Sequence, residues 1–245
     1  MTELRVLGGF ELRVAGRAVA LPTQAQRVLG CLAVVAPSQR REALAGRLWA
    51  DSRQERAQAN LRNALWRVRQ AGSGVVHATR DVVSLHDAVE VDLTLCQRCA
   101  RDLIDRGADG PPMTRTPLPL LELDLLPAWD EDWIVLERER VRQLRIHALE
   151  ALSRSLVGQG RFAVAVEAAL AAVSADPLRE SANAALIEAH LAEGNRSEAA
   201  RQLAAYRTLL GDELALTPSS RIEELVAGGT HPGVDAPGTR AKTAR

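Results

Sequence analysis

Several things are scarce in this chain of 245 residues, and each scarcity excludes a class of answer. Cysteine appears three times, at Cys31, Cys96 and Cys99, too few and too unevenly placed for a disulfide framework. The fold must therefore rest on a packed core, which a chain of this length can build. No apolar run reaches the length of a membrane span, and no charged-then-apolar signal segment opens the sequence, so the expectation is a cytoplasmic protein with no membrane partner. The patterns HExxH, GxSxG, GxxxxGK[ST] and GxGxxG are all missing. Nothing in the sequence calls for a catalytic residue, a metal or a cofactor, and no enzyme is expected. Lysine is nearly absent too: apart from Lys242 every basic residue is arginine, which fits the codon usage of a GC-rich genome and carries no functional weight.

Net charge is also lacking, with 31 basic and 31 acidic residues, but the balance is local. From Gln24 to Arg80 there are ten arginines against the three acids Glu42, Asp51 and Glu55. From Leu93 onward 22 acids face 18 bases. A basic first part and an acidic second part suggest one unit that faces a polyanion and another that faces something else.

The chain begins with alternating apolar and polar residues: "LRVL" at Leu4 to Leu7, "FELRV" at Phe10 to Val14 and "AVAL" at Ala18 to Leu21, punctuated by Gly8-Gly9 and Ala15-Gly16. These predict short antiparallel strands. Three helical patterns follow, over Gln24 to Val35, Arg40 to Trp49 and Gln54 to Arg69. "VVHA" at Val75 to Ala78 and "VVSL" at Val82 to Leu85, separated by Thr79-Arg80-Asp81, then read as a hairpin. The order sheet, three helices, hairpin is that of a winged helix. In such a domain the third helix fits the major groove and the hairpin reaches backbone or minor groove.

That third helix contains "RAQANLRNALWRVRQ" at Arg56 to Gln70. Ala57, Leu61, Ala64, Leu65 and Val68 form its apolar stripe. The remaining arc holds Arg56, Asn60, Arg62, Asn63, Trp66, Arg67 and Arg69, and no acid occurs between Glu55 and Asp81. A solvated charged face is the ordinary reading of such an arc, but its place before a hairpin and its want of acids favour DNA. Guanidinium groups suit guanine edges and phosphates, and carboxamides suit adenine. The expected DNA-facing set is these seven residues, Arg53 at the helix entry, and His77, Thr79 and Arg80 on the hairpin. For Trp66, contact with sugar-phosphate or a neighbouring protomer and packing against the wing both stand open. Trp49, following Leu44 and Leu48 at helical spacing, is expected in the core.

From Val91 the chain reads as helical, with a Pro- and Gly-containing connection from Gly107 to Pro119 and helices near Glu131 to Val157, Arg161 to Ala175, Arg179 to Glu193 and Ser197 to Leu210. "GRFAVA" at Gly160 and "GNRSEA" at Gly194 lie 34 residues apart, with Pro177 closing the first copy. That period and those small residues are the signature of tetratricopeptide-like helix pairs. Gly211 stands where Pro177 would recur, so an atypical end cap is expected. Cys96 and Cys99 have zinc-ligand spacing but no partner pair, and both are expected as buried structural thiols. The acids of "WDEDW" at Trp129 to Trp133 are expected to open a helix, where they complement its dipole. The tail from Gly228 to Arg245, rich in Gly, Pro and Thr, is expected to be disordered.

"LRVLGGFEL", "RLWAD", "NLRNALWRVR", "VDL" at Val91 to Leu93, "LLPAWDEDWIVLERERVRQL" and "GRFAVAVEAALAAVSADPLRESA" in that order resemble the SARP transcription regulators of actinomycetes, over about Leu4 to Val226. The resemblance implies a response-regulator-type winged helix over residues 1–92 and a bacterial transcriptional activation domain over 93–227. It further implies activation of target operons through direct-repeat sites on double-stranded DNA, self-association there, contact with the RNA polymerase holoenzyme, and a nucleoid location. One departure is that Arg40 stands where relatives start the second helix with a serine cap. The rival expectation is a tetratricopeptide-type adaptor without operator binding; the basic third helix beside a hairpin is what an adaptor has no need of.

If about four to six phosphates are neutralised, the logarithm of the DNA association constant should fall against log salt with a slope of about minus four to minus five. Anisotropy titrations at increasing KCl measure it, and a flat response would remove the phosphate contacts from consideration.

Overall fold

A computed structural model describes residues 1–72, 74–107 and 117–228; the expected disordered tail, apart from Gly228, and most of the expected connection lie outside the described residues. The chain starts with β1 (Thr2–Arg5) and β2 (Glu11–Val14), paired antiparallel with Leu4 opposite Leu12, and β3 (Arg17–Ala18) beyond a turn in which Ala15 and Gly16 have φ of 51° and 78°. Positive φ at both central positions suits a tight hairpin.

This sheet corrects the expectation of a purely antiparallel one. Its fourth member, β7 (Val89–Val91), pairs parallel to β1, Leu4 opposite Val91, giving the order β3-β2-β1-β7. The chain reaches β7 only after the three helices and the hairpin, a crossover that delivers it running the same way as β1. Its exit is fixed by Asp92, whose carboxylate accepts hydrogen bonds from the N–H groups of Val6, Leu7 and Leu93 at 2.7–3.1 Å.

Between these strands stand α1 (Thr23–Val34), α2 (Arg41–Leu48) and α3 (Gln54–Ala71). The apolar stripe of α3 is buried as its spacing required: Ala57, Leu61, Ala64, Leu65 and Val68. The hairpin of β5 (Val76–Ala78) and β6 (Val82–Leu85) acquires a third strand, β4 (Ser38–Arg40), in the order β4-β6-β5. Ser-Gln-Arg has no apolar alternation, so β4 carried no sequence signal; its pairing to β6 makes it a strand.

The second part comprises α4 (Asp92–Arg106), the single turn α5 (Leu118–Leu121), the long α6 (Asp132–Gly158), α7 (Phe162–Ala175), α8 (Glu180–Glu193), α9 (Arg196–Leu214) and α10 (Ser220–Gly228). Gly160 and Gly194 occupy equivalent turns with φ of 71° and 90°, where a side chain would be strained. Ala165, Ala168, Ala169 and Ala172 are completely buried between helices, the small residues allowing close packing. In place of a proline stop, α9 runs through Gly211, and α10 buries Ile222 in the cluster of Ile187, Leu203 and Tyr206. Of the two thiols expected in the core, Cys96 is buried, while Cys99 is only half-buried. Burial pushes the Cys96 thiol up to about 11.

The join between the two parts is a strap, residues 122–131. Leu7 and Leu125 form an antiparallel bridge, Gly8 N–H donates to Asp124 O at 2.7 Å and Leu126 N–H donates to Val6 O at 2.8 Å. Trp129 stacks on Phe10 with centroids 5.9 Å apart and meets Trp133 edge-on at 6.2 Å. Gly30 makes room for it: a Cβ there would lie 2.7 Å from the indole. Arg138 holds the strap by donating to the carbonyls of Leu125, Leu126 and Trp129. Arg145, 4% exposed, donates to Leu121 O and to the Asp124 carboxylate.

The expectation for "WDEDW" is met only by Asp132, in the first turn of α6. Glu131 instead receives Arg27 of α1 in a two-pronged ion pair of 2.7 and 2.9 Å, and accepts Trp133 Nε1–H at 2.5 Å. Both members of the pair are largely covered, at 20% and 17% side-chain exposure. Glu131→Ala strips a guanidinium and an indole N–H of their acceptor at once, and should lower stability by about 1–3 kcal/mol. Urea unfolding of the full chain measures this, and an unchanged midpoint would mean that the strap is held without that pair.

Candidate nucleic-acid interface

The outer arc of α3 is divided by a ridge. Trp66 and Arg67 form it: the indole is 52% exposed and the Arg67 guanidinium carbon lies 4.8 Å from its centroid, a cation–π contact. Trp66 is thus not packed under the wing.

On the wing side of the ridge a cleft of about 570 Å³ is lined by Arg62, Leu65, Trp66 and Arg69 of α3, by Ala78, Thr79 and Arg80 of the hairpin, and by Arg41 and Gln58. Arg69 Nη2 donates to Ala78 O and Arg41 Nη1 to Thr79 O, both at 3.4 Å, while Arg41 N–H donates to Asp81 O at 2.9 Å. These bonds aim two guanidinium groups into one space. Burial first, and then the positive charges of Arg62 and Arg69, push the Arg41 guanidinium below its ordinary range. A neighbouring cleft brings Arg40 and Arg80 together with Glu42 and Asp81.

On the other side a cleft of about 460 Å³ is lined by Arg56, Asn60, Asn63 and Arg67 of α3 and by Gln24, Trp49 and Ser52. Gln24 Oε1 accepts from Trp49 Nε1 at 3.1 Å and from Arg27 Nη1 at 2.9 Å. The expected core position of Trp49 is therefore corrected: it is half-buried, packed on one side and hydrogen-bonded on the other, because Gln24 offers the acceptor its N–H needs.

Nine of the eleven sequence-derived candidates line these two clefts. Arg53, exposed at the N-terminal boundary of α3, and His77, exposed on β5, line neither. Thr79 is exposed, but its hydroxyl oxygen is engaged by the N–H groups of Asp81 and Val82 and so builds the wing turn.

Arg40, Arg41, Gln58 and Gln24 were missed. A signal existed for the arginines, since cations at a helix N-terminus oppose its dipole, and Arg40 and Arg41 open α2 without a side-chain cap. Their convergence with α3 was not visible, because only tertiary packing brings the start of α2 to the wing.

The electrostatics distinguish two uses of arginine. Arg27, Arg142 and Arg179 are paired with Glu131, Asp176 and Glu150. Among the described residues, Arg41, Arg56, Arg62, Arg67, Arg69 and Arg80 have no ion pair. A concave, partly apolar surface with mutually repelling cations and carboxamides is suited to phosphate oxygens and polar base edges. No helix among the described residues is long and apolar enough to cross a membrane.

Residues 120–228 match the family described as bacterial transcriptional activator domain. The chain is 28% identical over 242 residues to the regulatory protein AfsR of Streptomyces coelicolor, an alignment covering 90% of this chain and 23% of AfsR. It thus spans about a quarter of that relative. Among solved structures it is similar to Mycobacterium tuberculosis EmbR, seen in complex with a low affinity phosphopeptide, with a TM-score of 0.70, 18% identity, and coverage of 93% of this chain and 64% of that one. At that identity the likeness concerns the fold: a small sheet with helices, followed by a helical domain.

Arg69→Gln removes a charge from a repelling group, so the free protein should melt within a degree or two of the unchanged chain or above it. Its binding to random duplex should lose about one unit of salt slope, the share of one phosphate contact. A marked fall in melting temperature would instead make Arg69 a structural residue.

Proposed function

We propose that this chain is a transcriptional regulator of the SARP family, that it recognises direct-repeat operators on double-stranded DNA through α3 and the wing, and that it activates transcription by presenting its helical second unit to RNA polymerase. The observation that carries this reading is the surface of arginines without ion pairs on both sides of α3, whereas Arg27, Arg142, Arg145 and Arg179 each meet a carboxylate. The domain match supports the activator part. We assign residues 1–92 to DNA binding, residues 93–227 to activation, and a nucleoid location to the whole, with protomers associating on adjacent sites. The family is one of transcriptional regulators and is not an enzyme class.

Arg56, Asn60, Asn63 and Arg67 face a cleft remote from the wing and read base edges. Arg41, Arg62, Arg69 and Arg80 hold phosphates beside it. Arg53, His77 and Thr79 stand at the margins, where they reach backbone only. Trp66 lies between the two groups.

Arg67→Ala should cost about 1–3 kcal/mol on the selected operator and relax base preference there, whereas Arg80→Ala should weaken operator and random duplex by similar factors. Gel-shift titrations on both duplexes distinguish them. Equal losses on both duplexes from both variants would overturn the division of roles. Absence of any duplex binding by the full chain would leave the adaptor reading, in which the helix pairs dock protein.

A further inference from the structure

The ridge of α3 carries an aromatic group that neither phosphate contact nor hydrogen-bonded base readout requires. The protein has four tryptophans. Trp129 and Trp133 are built into the strap and Trp49 is tied to Gln24, but Trp66 is left 52% exposed. At 100° per residue, position 66 lies on the side of α3 away from the buried stripe of Ala57, Leu61, Ala64, Leu65 and Val68. The ridge stands between the cleft of Arg62, Arg69 and Arg80 and that of Asn60, Asn63 and Arg67, so a helix seated with the first toward phosphates and the second toward base edges carries the indole into the groove beside those edges. The Arg67 guanidinium on the indole holds the ring in place from one side and leaves its remaining surface free.

What such a ring can meet is limited by groove chemistry. The edges of the base pairs offer donors and acceptors, and the C5-methyl of thymine is the one apolar group among them. The face of an indole pressed on the polar edges would withdraw them from water without returning a hydrogen bond, because the ring's one donor, Nε1–H, lies in the ring plane. Against a methyl it withdraws apolar surface on both sides. We infer that Trp66 is a specificity residue that recognises the C5-methyl group of a thymine in the major groove, an inference that rests on duplex DNA being the ligand of this surface.

The test uses the full chain and an operator obtained by selection from random duplexes, in which each thymine is replaced singly by deoxyuridine, a change that deletes only the methyl. The unchanged protein should lose about fourfold in affinity at one position or more, the factor that burial of a single methyl group supplies. Trp66→Ala should bind the thymine and uracil forms equally at that position. Trp66→Leu, which keeps an apolar contact, should recover part of the difference. Arg67→Ala should bind more weakly yet still distinguish the two. Indifference of the unchanged protein to every replacement, or retention of every methyl preference by Trp66→Ala, would overturn the inference while DNA binding stands. Failure to select any duplex would overturn the DNA reading itself, and this one with it.

Discussion

The join between the strap and the first unit supports everything else in the molecule. Residues 122–131 bridge from Leu125 to Leu7, just beyond β1, place Trp129 between Phe10 and Gly30, and deliver Glu131 to Arg27. Each contact crosses from the second unit to the first, so their cores are continuous from Leu4 to Leu156. Behind the strap, Arg138 of α6 satisfies its carbonyls, and Arg145 holds the Asp124 carboxylate and the Leu121 carbonyl at the end of α5. A strap with no regular secondary structure of its own would otherwise leave those acceptors unpaired in a dry environment. The first unit is accordingly supported from behind.

That support bears on the arginine surface. Gathering Arg41, Arg62 and Arg69 at the wing opposes folding, since burial first, and then its like-charged neighbours, disfavour the charged form of Arg41. The opposing cost is tolerable because stability comes from elsewhere: the buried stripe of α3, the strap and the ion pair at Glu131. Arg27 links both roles, donating to Glu131, to Leu48 O and to Gln24, which lines the Asn60–Arg67 cleft. One arginine thus ties the strap to the floor of that cleft.

The second unit follows different chemistry. Its helices pack through buried alanines, Ala165, Ala168, Ala169, Ala172, Ala182, Ala185 and Ala189, and several of the polar groups that remain inside have partners, although His190 Nδ1 is buried without one among the described residues. Glu150 is 4% exposed and is met by Arg179 and Ser181, and Ser153 donates to Ala165 O. Arg142, Arg154 and Arg179 are paired here with Asp176, Glu188 and Glu150.

The sequence by itself determined the longer helices to within a few residues, though not α5 or α10, and with them the buried stripe of α3, the hairpin after it, and the 34-residue repeat with glycine at the turns. These features are local or periodic, and apolar spacing together with turn chemistry is sufficient to specify them. It also determined nine of the residues that line the two clefts, because an acid-free arc on an amphipathic helix can only face outward. Only the tertiary structure decided that β7 returns parallel to β1, that Ser38–Arg40 becomes a strand, that Glu131 leaves its own helix to meet Arg27, and that Arg41 joins Arg62 and Arg69. Those outcomes depend on groups far apart in sequence whose individual signals are weak: a polar tripeptide, one glutamate among several, one arginine among thirty. Each becomes meaningful only when burial of the common core brings its partner within a few ångströms, where hydrogen bonding and charge act.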